Sequence, residues 1–298
     1  MKITIGSRGS KLALAQSEEV KRILEQAYPH LEINIQVIRT KGDRILDKPL
    51  NQIGDKGLFT QEIETALLNG TIDLAVHSMK DMPSSLPAGL VFAGTFQPED
   101  ARDCLVFNHG YQKLEDLPLG AVVGTGSPRR KFQLLKLRPD LKIAGIRGNV
   151  PTRIEKMKKE NMDAIVLASA GLKRLGMANY IGQTFDFEAM VPACAQGILA
   201  LEAKEGAEIL SLIQKIEDQQ GTYRLTLERL YLETIGGSCH LPIGAHVTPI
   251  ADGIIFDALL GDEQGTILSK RHEVIHQHIE KTIQKIALEM KAEVEANG

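Results

Sequence analysis

The chain has 298 residues, 43% hydrophobic and 24% charged, with a formal net charge of −3, the make-up of a soluble globular protein with room for two or three domains. No apolar run approaches bilayer-spanning length, and the opening MKITIGSRGS has neither an apolar signal core nor a small-residue cleavage site, so no membrane association and a cytoplasmic location are expected. Cys104, Cys194 and Cys239 are far apart and lack ligand-like spacing, so neither a disulfide framework nor a metal site is expected.

In chain order, residues 2–5 read as a strand, and Ser10 as the cap of a helix running to about residue 26. Ile33, Ile35 and Val37 alternate as a second strand; residues 58–68 read as a helix and 72–76 as a short buried strand. This is βαβ logic. Between them, RTKGDRILDKPLNQIGDKG at 39–57 has no sustained period, and either a lid or a plain solvated loop fits it.

A second alternating block follows, with strands at 121–124, 142–146 and 164–167 and helices at 127–137, 150–160 and 170–175. Two such blocks predict two doubly wound α/β domains with a cleft between them. The apolar stretch 198–203 is expected to return to the first domain as a strand, so the chain crosses twice, near 98–102 and 191–196. A smaller α+β unit closes the chain: a helix at 222–233, a turn bearing Cys239, strands at 244–249, 254–260 and 266–271, and a helix with Ile275, Ile279, Ile283, Ile286 and Met290 as its core stripe. The expected domains are 1–99 with 197–217, then 100–196, then 218–298.

Chemistry concentrates at a few points. In GGSCHLPIG, glycines on one side and a proline on the other hold the Cys239 thiol on a turn, a setting for covalent attachment or nucleophilic chemistry. Adjacent Cys239 and His240 seldom converge on one ion. Residues 122–160 hold eleven Lys and Arg against three Asp and Glu, which points to an anionic ligand. Nucleic acid is the usual rival, but no binding motif accompanies the stripe, and aromatic residues make up 4% with no tryptophan.

Arg8 and Ser10 lie past a strand at a helix start, where free N–H groups favour anions, although a simple capped turn also fits. In GTGSPRR, Ser127 caps a helix whose first turn holds Arg129 and Arg130, where cations oppose the helix dipole unless an anion is present. Arg147, Arg153, Lys173 and Arg174 fall at loop ends of the same predicted sheet and could clamp carboxylates. Lys80 and Asp81 follow a strand end; Asp81 either pairs with a nearby arginine or faces a cation formed during reaction.

Taken together, SRGS, GDKGLF, DLAVHSMKD, GTGSPRR, RGNVPTR, LASAGLKRLG, AQG and GGSCHLPIG, in that order, resemble the porphobilinogen deaminase (hydroxymethylbilane synthase) family. The resemblance implies two lobes like those of type-2 periplasmic binding proteins and a third domain. It implies an enzyme that joins four porphobilinogen molecules head to tail, with loss of ammonia, on a covalent dipyrromethane primer, and releases hydroxymethylbilane by hydrolysis; nothing in the sequence calls for more than a monomeric protein. It further implies a thioether to Cys239 and catalysis by Asp81, which would stabilise the azafulvenium cation. Lys80, Asp81, Thr125, Ser127, Arg129, Arg130, Arg147 and Gly148 would contact the cofactor. Arg8, Ser10, Lys56, Phe59, Arg147, Arg153, Arg174 and Gln196 would contact substrate. Ser238, His240, Gly126, Pro128 and Cys194 depart from the family's usual residues.

Each pyrrole carries two carboxylates, and an unpaired buried carboxylate costs several kcal/mol, which accounts for the arginines. A non-enzymatic, two-lobed anion-binding protein is the alternative, since two such lobes with basic loops also describe a solute trap.

Overall fold

A computed structural model of the chain describes residues 1–41, 60–83, 86–236, 241–275 and 277–297. The elements are β1 (Lys2–Ser7), α1 (Lys11–Ala27), β2 (Glu32–Val37), α2 (Gln61–Leu68), β3 (Leu74–Ser78), β4 (Leu90–Gly94) and β5 (Asp103–Phe107). Next come β6 (Val122–Gly124), α3 (Pro128–Leu137), β7 (Lys142–Ala144), α4 (Val150–Lys159), β8 (Ala164–Ala168), α5 (Ser169–Arg174), β9 (Gln183–Thr184) and β10 (Leu199–Lys204). The chain closes with α6 (Glu208–Gln214), α7 (Gln219–Ile235), β11 (Gly244–Ile250), β12 (Gly253–Gly261), β13 (Ile267–Ile275) and α8 (Ile279–Asn297). These elements fall into two compact units, Met1–Glu99 with Ile198–Thr222, and Asp100–Gly197 with Tyr223–Gly298.

The first unit holds a five-stranded sheet in the order β2-β1-β3-β10-β4. β1 runs parallel to β2 and β3, whereas β10 runs antiparallel to β3 and β4. Ile3, Ile5, Leu74 and Leu201 are fully buried and pack with Val20 and Leu24 of α1, so the helix's apolar stripe seals one face of the sheet. Burying each such side chain contributes about 1.5–3 kcal/mol. The stretch expected to return to this sheet does so as β10, whose first five residues are all buried.

The second unit repeats the arrangement in the order β7-β6-β8-β5-β9, with β6 parallel to β7 and β8 and β5 antiparallel to β8 and β9. The two α/β sheets are therefore mixed in strand direction. The unit also holds a small antiparallel sheet, β11-β12-β13, on which α7 and α8 pack. Tyr231 meets Phe256 edge-to-face at 5.4 Å between centroids, and its hydroxyl donates to the Leu259 carbonyl.

The structure differs from the expected elements at several points. β4, β5 and β9 are strands, and α6 a helix, that the sequence reading does not include; β4 pairs with β10, and β5 pairs with β8 and β9. Ile275 does not begin the closing helix's stripe: it ends β13 opposite Gly253 and is 61% exposed, and the helix starts at Ile279.

Candidate anion-binding and catalytic site

In the first unit, Ser10 caps α1 as its spacing predicts, accepting from the Ala13 backbone N–H at 3.2 Å. Arg8, half-buried, lies between β1 and this cap. β3 leads straight into a short 3₁₀ turn, Met79–Asp81, closed by Met82 N donating to the Met79 carbonyl at 3.0 Å. Lys80 is half-buried there, while Asp81 is exposed and enters no ion pair among the described residues. Among the described residues, no arginine pairs with Asp81.

In the second unit, Ser127 caps α3 through the Arg130 N–H, with Pro128 in the first turn. Thr125 Oγ1 accepts from Ser127 N at 3.2 Å. Arg129 and Arg130 are only 5% and 7% exposed, and the anion that their position demands comes from within the chain. Asp103, on β5, accepts from Arg129 Nη1 at 2.7 Å and from Arg130 Nε and Nη2 at 3.1 and 2.7 Å. Arg130 Nη1 and Arg129 Nη1 also donate to the Val166 and Val191 carbonyls. Burial pushes the Asp103 carboxyl up, but the two guanidinium groups win and hold it far below its ordinary value.

Gln196 joins the same cluster, donating to Asp103 Oδ1 at 2.9 Å and to the Ala101 carbonyl at 2.6 Å. The structure therefore brings Arg129, Arg130 and Gln196 together on one buried acid. Asp103 was not legible as a site residue, because nothing near it in sequence marks it. Gln133 is a second missed member: its amide accepts from Val191 N at 2.8 Å and donates to the Val191 carbonyl at 3.1 Å, holding the second crossing to α3.

The other basic residues make contacts of their own. Arg153 Nε donates to the Gly148 carbonyl at 2.7 Å, and Arg174 Nη2 to the Gly197 carbonyl at 3.0 Å. Arg147 is half-buried just ahead of Gly148, whose φ of +118° suits only glycine; a Cβ there would lie 2.9 Å from Thr152 Cγ2. Asn149 caps α4, accepting from Thr152 N at 3.0 Å, a role that the motif RGNVPTR carries locally. Lys173 pairs with Asp100 at 3.1 Å.

A pocket of about 360 Å³ opens beside the start of α3, lined by Thr125, Ser127, Lys131, Phe132 and Gly145, with Glu263 at its edge. Hydroxyls, a helix start and a lysine give this pocket donors of the kind that hold carboxylates, with the Glu263 carboxylate as the one acidic group among the described residues of its lining. Lys56, Phe59 and Cys239, with Ser238 and His240, lie outside the described residues. Cys104 and Cys194 are buried and unpaired. Burial pushes the Cys104 thiol up to about 11 and the Cys194 thiol higher still. Among the described residues no helix is long and apolar enough to cross a membrane.

Residues 3–211 match the family model described as porphobilinogen deaminase, dipyromethane cofactor binding domain. A porphobilinogen deaminase of Clostridioides difficile is 49% identical over 266 residues, covering 89% of this chain and 88% of its own. One of Sulfurimonas denitrificans is 42% identical over 300 residues, covering 100% and 95%. Among solved structures, the methionine-binding protein MetQ aligns with 76% of this chain and 94% of its own at 13% identity and a TM-score of 0.46.

Proposed function

Because the chain belongs to the porphobilinogen deaminase family and makes hydroxymethylbilane in tetrapyrrole biosynthesis, we propose how its own residues carry out that reaction. Asp81 is the catalytic carboxylate. The observation that carries this is the contrast between two acids: Asp103 has its charge met by two buried arginines, whereas Asp81 stands exposed at a strand end outside every ion pair among the described residues. Its negative charge is available to the cationic pyrrole left when porphobilinogen loses ammonia, and its oxygens can accept pyrrole N–H protons.

Opposite charges about 4 Å apart at an effective dielectric near 20 attract by roughly 4 kcal/mol. Expressed only in the transition state, that is about a thousandfold in rate. Asp81→Ala should therefore lower the single-turnover rate by about that factor while porphobilinogen binding changes little. Single-turnover rates within a few-fold of the parent would reject the assignment.

The dipyrromethane cofactor, when bound, supplies the primer on which the chain grows. We assign its anchor to Cys239, supported by the two described thiols being buried with raised pKa values. Lys80, Asp81, Thr125, Ser127, Arg147 and Gly148 contact it, and Arg8, Ser10, Lys56, Phe59, Arg147, Arg153, Arg174 and Gln196 receive substrate. Arg129 and Arg130 act differently from free clamps. With one carboxylate between two guanidiniums, the pair keeps a single net positive charge, fixed in direction by Asp103.

We further propose three domains, with 218–298 separate from 100–196, supported by the hydrophobic cluster built around the antiparallel sheet. Unpaired Cys104 and Cys194 support a reducing, cytoplasmic setting. The working form is a monomer, which light scattering checks.

A further inference from the structure

One face of β3 and β10 carries a buried polar cluster that the reaction does not use. His77 Nε2 lies 3.1 Å from Glu202 Oε2. Across the ladder His77 faces Ala200 and Glu202 faces Ala75, so imidazole and carboxylate are diagonal neighbours on one side of the sheet. His77 is 7% exposed and Glu202 fully buried, with Glu202 Oε1 lacking a hydrogen-bond partner among the described residues. Glu64 of α2, also buried, stands beside them; burial raises its pKa, and the charge of Glu202 adds to the rise while His77 opposes it.

Such a cluster is a weak stabiliser, because two apolar side chains of the same volume would avoid the desolvation cost. What it adds is direction. A hydrogen bond across the diagonal holds β3 against β10 at one rotation, just before the chain leaves the sheet for Lys80 and Asp81. There the backbone continues the hold, Met79 N donating to the Ile198 carbonyl at 3.0 Å, and on α1 Gln16 Nε2 donates to Ser78 Oγ at 2.8 Å. With no ion pair among the described residues tying the Asp81 carboxylate, its position is inherited from this strand end.

We propose that His77, clasped by Glu202, is a positioning residue that aims the Met79–Asp81 turn, so that Asp81 meets the reacting pyrrole in the same place at each of the successive additions. The inference rests on the assignment of Asp81 as the catalytic carboxylate. Removing the imidazole leaves Glu202 buried without its partner, and the strand end can relieve this only by moving or admitting water. Displacements near 1 Å cost about a hundredfold where orientation governs the rate.

The test uses the full-length holoenzyme. His77→Ala is expected to lower kcat by about a hundredfold, with KM within about threefold and the cofactor mass still attached. His77→Gln, whose amide can donate to Glu202, is expected to recover at least a tenth of the parent kcat. A purely structural role would instead reduce the folded fraction and leave kcat per loaded molecule unchanged; that result, or failure of His77→Gln to exceed His77→Ala, overturns the proposal. Should His77→Ala not fold, Glu202→Gln keeps the shape of the pair, and its kcat per loaded molecule is expected to fall about tenfold with KM steady; an unchanged kcat overturns the proposal. Asp81→Ala, measured alongside, separates the two readings, since an unaffected rate there rejects the catalytic assignment itself.

Discussion

At Asp103 the charge of two arginines and the amide of Gln196 converge on one carboxylate with no solvent exposure. Removing one side of a buried ion pair costs about 3–5 kcal/mol, because the remaining charge stays desolvated. Asp103→Asn is expected to lower the unfolding free energy by that amount in urea and to reduce the fraction of molecules that carry cofactor; an unchanged urea midpoint would contradict the role given to Asp103. The residues that sequence made legible are those whose partners are close by. Ser10, Ser127 and the first-turn arginines follow from capping and dipole rules that act within one turn. Asp103 was hidden because its partners lie 26, 27 and 93 residues along the chain, and only the folded sheet brings them to it.

At the scale of elements, the first crossing is fixed to the second unit by Asp100. Its carboxylate accepts from Arg102 Nε and Nη2, each at 2.9 Å, and from Lys173 Nζ of α5 at 3.1 Å. Burial would raise its pKa, but Arg102 and Lys173 more than offset this and hold it at about 2, below the ordinary 3.8. A depressed carboxyl stabilises the fold above its unfolded pKa, and that stability disappears as pH falls from about 4 toward 2. The lowering corresponds to about 2 kcal/mol, reduced toward about 1 kcal/mol because both cations are partly exposed. Asp100→Asn should therefore lose this amount at pH 7 and show a shallower decline in stability between pH 4 and 2; an acid limb as steep as the parent's would count against it. Strands and helices with a clear period were legible, including the return of β10, whose apolar run is long enough to read. β9 has two residues and carries no period, and Ile275 misled because spacing alone cannot separate a strand's last residue from a helix's first turn.

On the scale of the whole molecule, both units use one plan. In each five-stranded sheet, three parallel strands are joined by an antiparallel strand and a further edge strand. The antiparallel strand in each follows a crossing: β5 begins just after Asp100, and β10 just after Gly197. Alternation of strand and helix signals made the two blocks legible, but the mixed strand directions were not, since a buried run reads alike in either direction. The activity came from the motifs and not from the plan, because the same sheets serve unrelated tasks.

The central claim is that this chain builds a polycarboxylate on its own thiol, Cys239. The most direct measurement is the intact mass of the purified protein before and after a short exposure to porphobilinogen. The account predicts a starting mass above that of the sequence by one dipyrromethane, a ladder of further pyrrole additions after exposure, and an unmodified mass in Cys239→Ser. A parent at its bare sequence mass that gains nothing from porphobilinogen, or an adduct that persists in Cys239→Ser, would contradict it.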